Sequence, residues 1–338
     1  MAKKQLVALE ICAGGGGQAL GLEMAGFDHA AVVEIDKAAC ATLRLNRPHW
    51  NVVEGNLLEF DGRPFRGVDL LAGGVPCPPF SIAGKQLGAD DERDLFPEAL
   101  RLVEEINPRA VLLENVRGLA DPKFSAYREG ILSKLTSLGY RADWRLLNAS
   151  DYGVCQLRPR FILVALKQEI ADRFEWPKPK RTKATVGELL EDLVGAGGWE
   201  GAERWARAAN SIAPTVVGGS KKHGGPDLGP TRARNAWGRL GVDGLGVAYE
   251  PPGPDFPVDG WPKLTVQMVA RVQGFPDSWV FPGKKTHSYR QVGNAFPPPV
   301  AEAVGRAIAK ALAAGAKKSA LHDGLTGLPL LEMMARAN

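Results

Sequence analysis

The sequence predicts an α/β protein: a doubly wound, mostly parallel sheet flanked by helices, followed by a smaller loop-rich domain. Apolar runs and helical patterns alternate through the first half of the chain, an order typical of parallel sheets with helices on both faces. Four glycines at residues 14–17 end the first apolar run. After Trp176 the long periodic runs stop, and glycine and proline become frequent.

Each predicted strand is a short run of apolar residues, which is the composition that burial on both faces of a parallel sheet requires. The predicted strands are Leu6–Ile11 and residues 30–35, 68–72, 110–113 and 161–166.

Apolar residues at helical spacing stand between these strands. The predicted helices are residues 19–24, 38–45, 96–106 and 124–138. Three prolines at 297–299 begin a last helix, because proline is tolerated in a first helical turn. Its apolar residues fall on one stripe, so we expect it to pack against the sheet of the first domain. They are Val300, Val304, Ala307, Ile308, Ala311 and Leu312.

The middle of the chain has a different composition and predicts a second domain at residues 177–282, after a hinge at 177–181. Residues 1–176 and 283–316 would form the first domain, and 317–338 a tail without an assigned role. Between Pro177 and Leu240 there are 11 Lys/Arg and 6 Asp/Glu, whereas the whole chain has a net charge of +4. This local excess fits a polyanionic partner, although a solvated basic surface would give the same balance.

The general composition is that of an ordinary globular protein, with 45% hydrophobic and 24% charged residues in 338. Its 4 cysteines show no paired spacing, so neither a disulfide framework nor a zinc ribbon is indicated. No apolar run reaches membrane-spanning length, and the N-terminus has no cleavage-site pattern. We therefore expect a soluble protein of a reducing, cytoplasmic setting with no membrane partner.

Cys77 lies between prolines, directly after the predicted strand at 68–72. Proline fixes φ and removes a backbone donor, so this loop is stiff and cannot continue the strand. That placement suits a nucleophile. A structural thiol is the alternative, and the loop by itself does not decide between them.

The glycine turn at 14–17 and Glu34 suggest a site for an adenosine-containing cofactor. A glycine turn between strand and helix lets a ligand approach the backbone, and an acidic residue at the end of the second strand can accept the ribose hydroxyls. The pattern does not separate a nicotinamide dinucleotide from S-adenosylmethionine. A turn needed only for packing would look the same.

Two further motifs stand at predicted strand ends. Glu114 follows the strand at 110–113, where burial would raise the pKa of its carboxyl and favour proton donation. Arg158 and Arg160 stand two apart on an extended segment, so both side chains would point the same way and could grip a phosphate or a carbonyl oxygen. The plainer interpretation of Glu114 is a helix cap or an ion-pair partner, and that of the arginines is an exposed pair on an edge.

The glycine turn, the Cys77 loop, Glu114 and the arginine pair follow one another along the chain in that order. Two more motifs come after them: Leu264 to Pro276, with its Arg-x-Gln-Gly-Phe-Pro run, and residues 291–294 before the last helix. Together they resemble the DNA cytosine-5 methyltransferases, in the compact form found in restriction–modification systems. The resemblance covers roughly residues 6–312 and implies a Rossmann-like catalytic domain with a target recognition domain at 177–282.

The resemblance implies a covalent mechanism. Cys77 would add to C6 of cytosine, because the ring becomes a nucleophile at C5 only as an enamine. Glu114 would protonate or hydrogen-bond N3 and Arg160 would hold O2, with Arg158 beside it in the catalytic group. The base would have to be flipped out of the duplex, where neither thiol nor methyl donor can reach it.

The implied cofactor is S-adenosyl-L-methionine, the product S-adenosyl-L-homocysteine, and no metal is expected. Residues of the glycine turn would line the methionine moiety, Glu34 would take the ribose, and Asn56 would face the adenine. The full implied set is Cys12, Ala13, Gly14, Gly15, Gly17, Glu34, Ile35, Asn56, Leu57, Pro76, Leu95, Asn294 and Ala295.

Three positions depart from the family pattern: Asn56 replaces Asp, Pro78 replaces Gln, and Gln267 replaces Glu. An asparagine amide can still accept a hydrogen bond from the adenine amino group but adds no negative charge, which weakens cofactor selectivity. Pro78 removes one expected contact to the DNA backbone.

Double-stranded DNA is the implied partner. A restriction endonuclease would act on the same site without stable association, and the enzyme would work as a monomer. The DNA contacts we expect are Ser81, Lys221, Lys222, Arg232 and Arg234. Three other functions remain open from sequence: a dehydrogenase, an RNA cytosine-5 methyltransferase, and a DNA-binding regulator without catalysis.

Overall fold

The computed structural model describes residues 5–76, 94–181, 183–218 and 227–319. Of the predicted site residues, Cys77, Ser81, Lys221 and Lys222 lie outside the described residues, as does Pro78.

The described residues form one sheet of seven strands in the order β3-β2-β1-β4-β5-β7-β6. Neighbours from β3 through β5 pair in parallel, while β7 is antiparallel to both β5 and β6. The strands are β1 Leu6–Ile11, β2 Phe27–Glu34, β3 Val52–Glu54, β4 Leu70–Gly74, β5 Ala110–Val116, β6 Tyr140–Asn148 and β7 Pro159–Lys167. The predicted doubly wound, mostly parallel sheet is confirmed.

Helices cover the sheet and build the middle of the chain. In the described residues they are α1 Gly17–Met24, α2 Lys37–Asn46, α3 Phe96–Ile106, α4 Ser125–Ser137, α5 Gln168–Ala171, α6 Val186–Gly195, α7 Ala202–Ala208, α8 Thr231–Gly238, α9 Val266–Val272, α10 Lys285–Asn294 and α11 Pro298–Ser319. Within this part of the chain no helix is long and apolar enough to cross a bilayer.

Both faces of the sheet are buried. Apolar residues of α3 and α4 cover one face, and α1 with α11 cover the other. The stripe predicted on the last helix lies in this second core, where Val300, Val304, Ile308 and Leu312 are at most 1% exposed. The expectation that α11 packs against the sheet is confirmed, although Ala307 of the predicted stripe is only partly buried.

Two strands escaped the sequence prediction. β3 is only three residues long. β6 lies at the sheet edge and alternates buried with exposed positions, carrying Arg141, Asp143 and Arg145 outward. An edge strand with one solvated face has no continuous apolar run, so the pattern used to predict the other strands is missing.

The described part of the middle segment contains four short helices, α6 to α9, and its core is continuous with that of the first half of the chain. Trp199, Trp205 and Trp237 lie in one apolar cluster that also includes Ala13 and Trp279. The indole Nε1 of Trp279 donates to Gly15 O at 3.1 Å. The residues just before 282 therefore pack directly on the glycine turn.

Candidate active site

A cavity of about 280 Å³ opens at the carboxyl ends of the parallel strands. The chain leaves β1 toward β2 on one side, while β4 and β5 lie on the other, so β1 and β4 flank the point where the strand order reverses. Open α/β sheets bind ligands in the crevice at such a point. The lining comes from the ends of β1, β2, β4 and β5 and from α10.

The turn after β1 forms one wall of the cavity. Cys12 and Gly14 have φ values of 52° and 54°, which is left-handed backbone. A Cβ built on Gly14 would meet nothing within 4 Å, so the space in front of this turn is open to a ligand.

Glu34 holds this turn from the end of β2. Its Oε2 accepts from Gly14 N at 2.6 Å, and its Oε1 accepts from Ile35 N at 2.9 Å and Asp36 N at 2.8 Å. An ionised carboxylate has about four acceptor positions, so one remains for a ligand hydroxyl.

Glu10 is a second acidic residue of the cavity. It was not predicted from sequence, because it lies within an otherwise apolar strand. It is 0% exposed, and neither carboxyl oxygen has a hydrogen-bond partner in the structure. Burial raises the pKa of this carboxyl well above its ordinary value. A charged residue inside β1 was the available signal.

Glu114 and Arg160 form a buried ion pair at the far wall. Glu114 lines the cavity from β5, and its Oε1 lies 2.6 Å from Arg160 Nε of the neighbouring strand β7. Burial raises the pKa of Glu114, against the opposing effect of Arg160 and Arg158. The direction is the one expected from its place at a strand end.

The described residues on either side of the Cys77 segment lie at this cavity. Pro76 and Leu95 both line it, and Leu95 N donates to Pro76 O at 3.3 Å. Asn115, which the sequence analysis did not single out, donates from Nδ2 to Val75 O at 2.9 Å. Asn115, the residue after Glu114, thus fixes the backbone that follows β4.

Arg158 makes a different set of contacts from Arg160. It is 1% exposed, and its guanidinium donates to Val216 O, Gly293 O at 2.7 Å and Ala295 O at 3.0 Å. These carbonyls belong to the middle segment and to the end of α10, so Arg158 joins the two. In the structure it positions backbone beside the cavity, and its predicted catalytic role stays a prediction.

The backbones joined by Arg158 are in direct contact. A Cβ built on Gly293 would lie 2.3 Å from Gly218 Cα, and one on Gly218 would lie 2.1 Å from Asn294 Oδ1. Tyr289 Oη lies 2.8 Å from Val217 O and 2.7 Å from Asp227 O, and its single hydroxyl proton can be donated to either carbonyl. Only glycine allows this approach, and Asn294 is itself part of the cavity lining.

Comparison with known proteins decides the family. The family model described as C-5 cytosine-specific DNA methylase matches residues 6–310. The chain belongs to this family.

The methylase is 59% identical to the Type II methyltransferase M.NaeI of Lentzea aerocolonigenes over 313 residues, which cover 91% of this chain and 76% of the relative. It is 57% identical to the Type II methyltransferase M.NgoMIV of Neisseria gonorrhoeae over 312 residues, covering 91% of this chain and 98% of the relative. The methylase is thus a DNA cytosine methyltransferase of the kind found in restriction–modification systems.

Solved structures agree on the fold. The methyltransferase EhMeth of Entamoeba histolytica superposes with a TM-score of 0.63 at 15% identity, covering 90% of the methylase and 98% of that chain. A DNA modification methyltransferase encoded within a prophage of E. coli has the same TM-score at 24% identity, covering 91% and 99%. At these identities the likeness shows the fold alone.

The cavity gathers nearly the whole predicted cofactor set of the methylase. Lining residues from that set are Cys12, Ala13, Gly14, Gly15, Glu34, Ile35, Asn56, Leu57, Pro76, Leu95, Asn294 and Ala295. Gly17 is not among the lining residues, and a Cβ there would lie 2.2 Å from Phe296 O, so close packing explains that glycine. Asn56 Oδ1 accepts from Leu58 N at 3.2 Å within its own turn.

Gln18, Arg290 and Gln291 also line the cavity and were not predicted. All three lie on helices. Gln18 follows the glycine turn and Gln291 begins the motif at 291–294, so these two had a signal nearby, whereas Arg290 had none. Within the described ranges there is no cluster of three His, Cys, Asp or Glu that could hold a metal ion.

The two predicted DNA contacts that the structure describes differ from each other. Arg232 is exposed on α8. Arg234 is half-buried, lies 3.5 Å from Asp227 Oδ2 and donates to Thr231 Oγ1 at 3.3 Å. Its charge is partly neutralised inside the protein.

Proposed function

We propose that the methylase transfers a methyl group from S-adenosylmethionine to C5 of a specific cytosine flipped out of duplex DNA, with Cys77 as a transient covalent nucleophile. The observation that carries this proposal is Glu114, which lines the same cavity as the glycine turn and Glu34 and is held from behind by its buried ion pair with Arg160. One cavity thus offers groups for a base and groups for a nucleoside cofactor.

The cavity lining fits the proposed cofactor. When bound, S-adenosylmethionine supplies an electrophilic methyl group on a sulfonium. The free acceptor position of Glu34 suits a ribose hydroxyl. Glu10 supplies a buried carboxyl without a partner in the structure, which suits the cationic part of such a ligand.

The protein groups then divide the work on the base. Glu114, whose pKa is raised by burial, is placed to protonate or hydrogen-bond N3 as the Cys77 thiolate adds to C6. Arg160 keeps guanidinium donors for O2. After C5 has taken the methyl group, its proton is lost to a base and the C6–S bond breaks, which returns Cys77 as thiolate. Any proton that N3 took from Glu114 goes back to that carboxylate, so the product is neutral.

The other cysteines support the choice of Cys77. Burial raises the pKa of the thiols of Cys12 and Cys155, and that of Cys40 to about 11. A thiolate is the reacting form, so these three thiols are poor nucleophiles.

Trapping on a modified substrate tests this proposal. A duplex with 5-fluorocytosine at the target should form a covalent complex that survives denaturing electrophoresis, because fluorine cannot leave as the proton does. Bisulfite sequencing of plasmid from expressing cells first identifies the target site. Cys77→Ala should abolish both the complex and methyl transfer while leaving DNA binding largely intact.

Cys155→Ala is the matched control, since this buried thiol donates to Ala184 O away from the cavity. It should trap like the wild type. Transfer to tRNA in place of duplex DNA, or a persistent complex in Cys77→Ala, would contradict the proposal.

We also infer the setting of this activity. Relatives named as Type II methyltransferases support a restriction endonuclease that cuts the same site without stable association, and a monomer working in the bacterial or archaeal cytosol. Residues 177–282 would act as the target recognition domain, residues 1–176 and 283–316 as the catalytic domain, and 317–338 as a tail. The basic excess of the middle segment supports this division.

A further inference from the structure

The outward face of α8 carries polar side chains that the structure leaves without partners. Arg232, Asn235 and Arg239 are spaced by three and four residues, so they lie on one side of the helix. All three are exposed, and none forms an ion pair or a side-chain hydrogen bond with a described residue. Trp237, 0% exposed, anchors the opposite side in the core.

Arg234 differs from the two outward arginines in having an acidic partner. It belongs to the same helix but turns inward to Asp227, and Gly244 packs over its Cα and Cγ. The inward arginine has an acidic partner, whereas the outward pair keeps its full charge available to a ligand.

Trp261 extends the same surface. Its indole lies at the C-terminal end of α8, where a Cβ built on Gly238 would be 3.3 Å from Trp261 Cζ3. The side chain is 58% exposed. A large aromatic ring beside two unpaired arginines and an amide is the composition expected where a protein meets a nucleic acid.

This surface is fixed relative to the catalytic cavity. Asp227, which pairs with Arg234, is held by Tyr289 of α10. A Cβ built on Gly229 would lie 2.4 Å from Val217 Cγ2, one residue from the Gly218–Gly293 contact. α10 ends at Asn294 in the cavity lining. Whatever docks on α8 is therefore held in a defined position relative to the cavity.

We propose that Arg232, Asn235, Arg239 and Trp261 form the surface on which the methylase docks duplex DNA, a conclusion that rests on the proposed function. Asn235 stands between the two arginines and presents an amide that can read a base edge, while Arg and Trp provide charge and contact area. Arg234, expected from sequence to contact DNA, braces this surface from inside.

Salt-dependent binding tests the surface. Fluorescence anisotropy with a duplex containing the methylated site should show the double variant Arg232→Ala/Arg239→Ala binding at least ~10-fold more weakly at 0.1 M salt, because two phosphate neutralisations lower the slope of log K against log salt by about 1.8. Trp261→Ala should weaken binding without changing that slope, since the indole carries no charge. Asn235→Ala should reduce discrimination between the cognate and a mutated site.

Arg207→Ala is the matched control, because it removes one exposed arginine of α7, paired there with Glu203. It should bind like the wild type. All variants should keep the wild-type affinity for S-adenosylhomocysteine, which shows that they are folded.

If the α8 variants bind duplex DNA as Arg207→Ala does, while the wild type methylates that duplex, the docking surface is wrong and the proposed function stands. The same holds if they lose affinity for tRNA alone. If the wild type fails to methylate any duplex, the proposed function itself fails.

Discussion

At the scale of single residues, two opposing effects act on the pKa of Glu114. Burial raises the pKa of its carboxyl, and the ion pair with Arg160 at 2.6 Å acts against that rise. We expect Glu114→Gln to lower the rate of methyl transfer by ~10²–10⁴-fold, because an amide can hydrogen-bond N3 but cannot protonate it.

The measurement is single-turnover methyl transfer with a tritiated methyl donor, alongside calorimetric binding of S-adenosylhomocysteine. Binding should be preserved. Transfer at the wild-type rate would show that no proton from this carboxyl is required.

Glu10 gives a prediction for stability against pH. Its pKa is raised in the folded protein, so its contribution to stability is fully present below the unfolded-state pKa and is lost as pH rises through the folded value. Glu10→Gln removes this loss. The melting temperature of the variant, relative to wild type, should therefore be higher at pH 8 than at pH 5 in scanning calorimetry.

An equal difference at both pH values would show that the pKa of Glu10 is not raised above pH 5 in the folded protein. Glu23→Gln serves as the control, since Glu23 lies in a partly exposed ion pair with Arg47.

Whether a site residue could be predicted from sequence depended on its position relative to the strands. Glu114 and Glu34 were found because acidic residues at strand ends are easy to see. Glu10 was missed inside an apolar run. Arg158 was grouped with Arg160 by spacing, yet its partners Val216 and Gly293 lie 58 and 135 residues away and no local pattern reports them.

At the scale of elements, α1 and α11 show how a glycine permits close helix packing. A Cβ built on Gly21 would lie 2.4 Å from Pro298 O and 2.5 Å from Ala301 Cβ. We expect Gly21→Ala to destabilise the fold by about 1–3 kcal/mol, because the two helices must separate. Urea unfolding measures this free energy.

Gly130→Ala is the matched control in α4, where a new Cβ would meet nothing within 4 Å. There the better helix former should stabilise the protein by up to about 1 kcal/mol. A loss of stability in both variants would remove the packing explanation.

The elements themselves were predicted unevenly. The bounds of β1 and α3 coincide with the sequence prediction, because both have strong apolar patterns. β7 was recognised as a strand, but its antiparallel direction follows from β6 preceding it at the edge, and β6 had no apolar run.

At the scale of the whole molecule, Arg158 ties the middle segment to the catalytic cavity. Lysine has three donors on one nitrogen and cannot span three separated carbonyls, so Arg158→Lys leaves at least one buried carbonyl unpaired, at a cost of about 1–3 kcal/mol. We expect lower melting temperature, together with weaker binding of both DNA and S-adenosylhomocysteine.

Arg207→Lys, at an exposed position, should change none of the three. If Arg158→Lys weakens the binding of only one of the two ligands, the arginine does not couple the DNA site to the cofactor site. Calorimetry and anisotropy on the same preparation give the answer.

The backbone contact between Gly218 and Gly293 constrains how this protein can be re-engineered or diversify. A chimaera that grafts a foreign specificity segment after residue 177 must bring its own glycine to position 218, or the new side chain will collide with the end of α10. Exchange of target preference between relatives is therefore expected to succeed only where the graft boundaries leave both glycines in register.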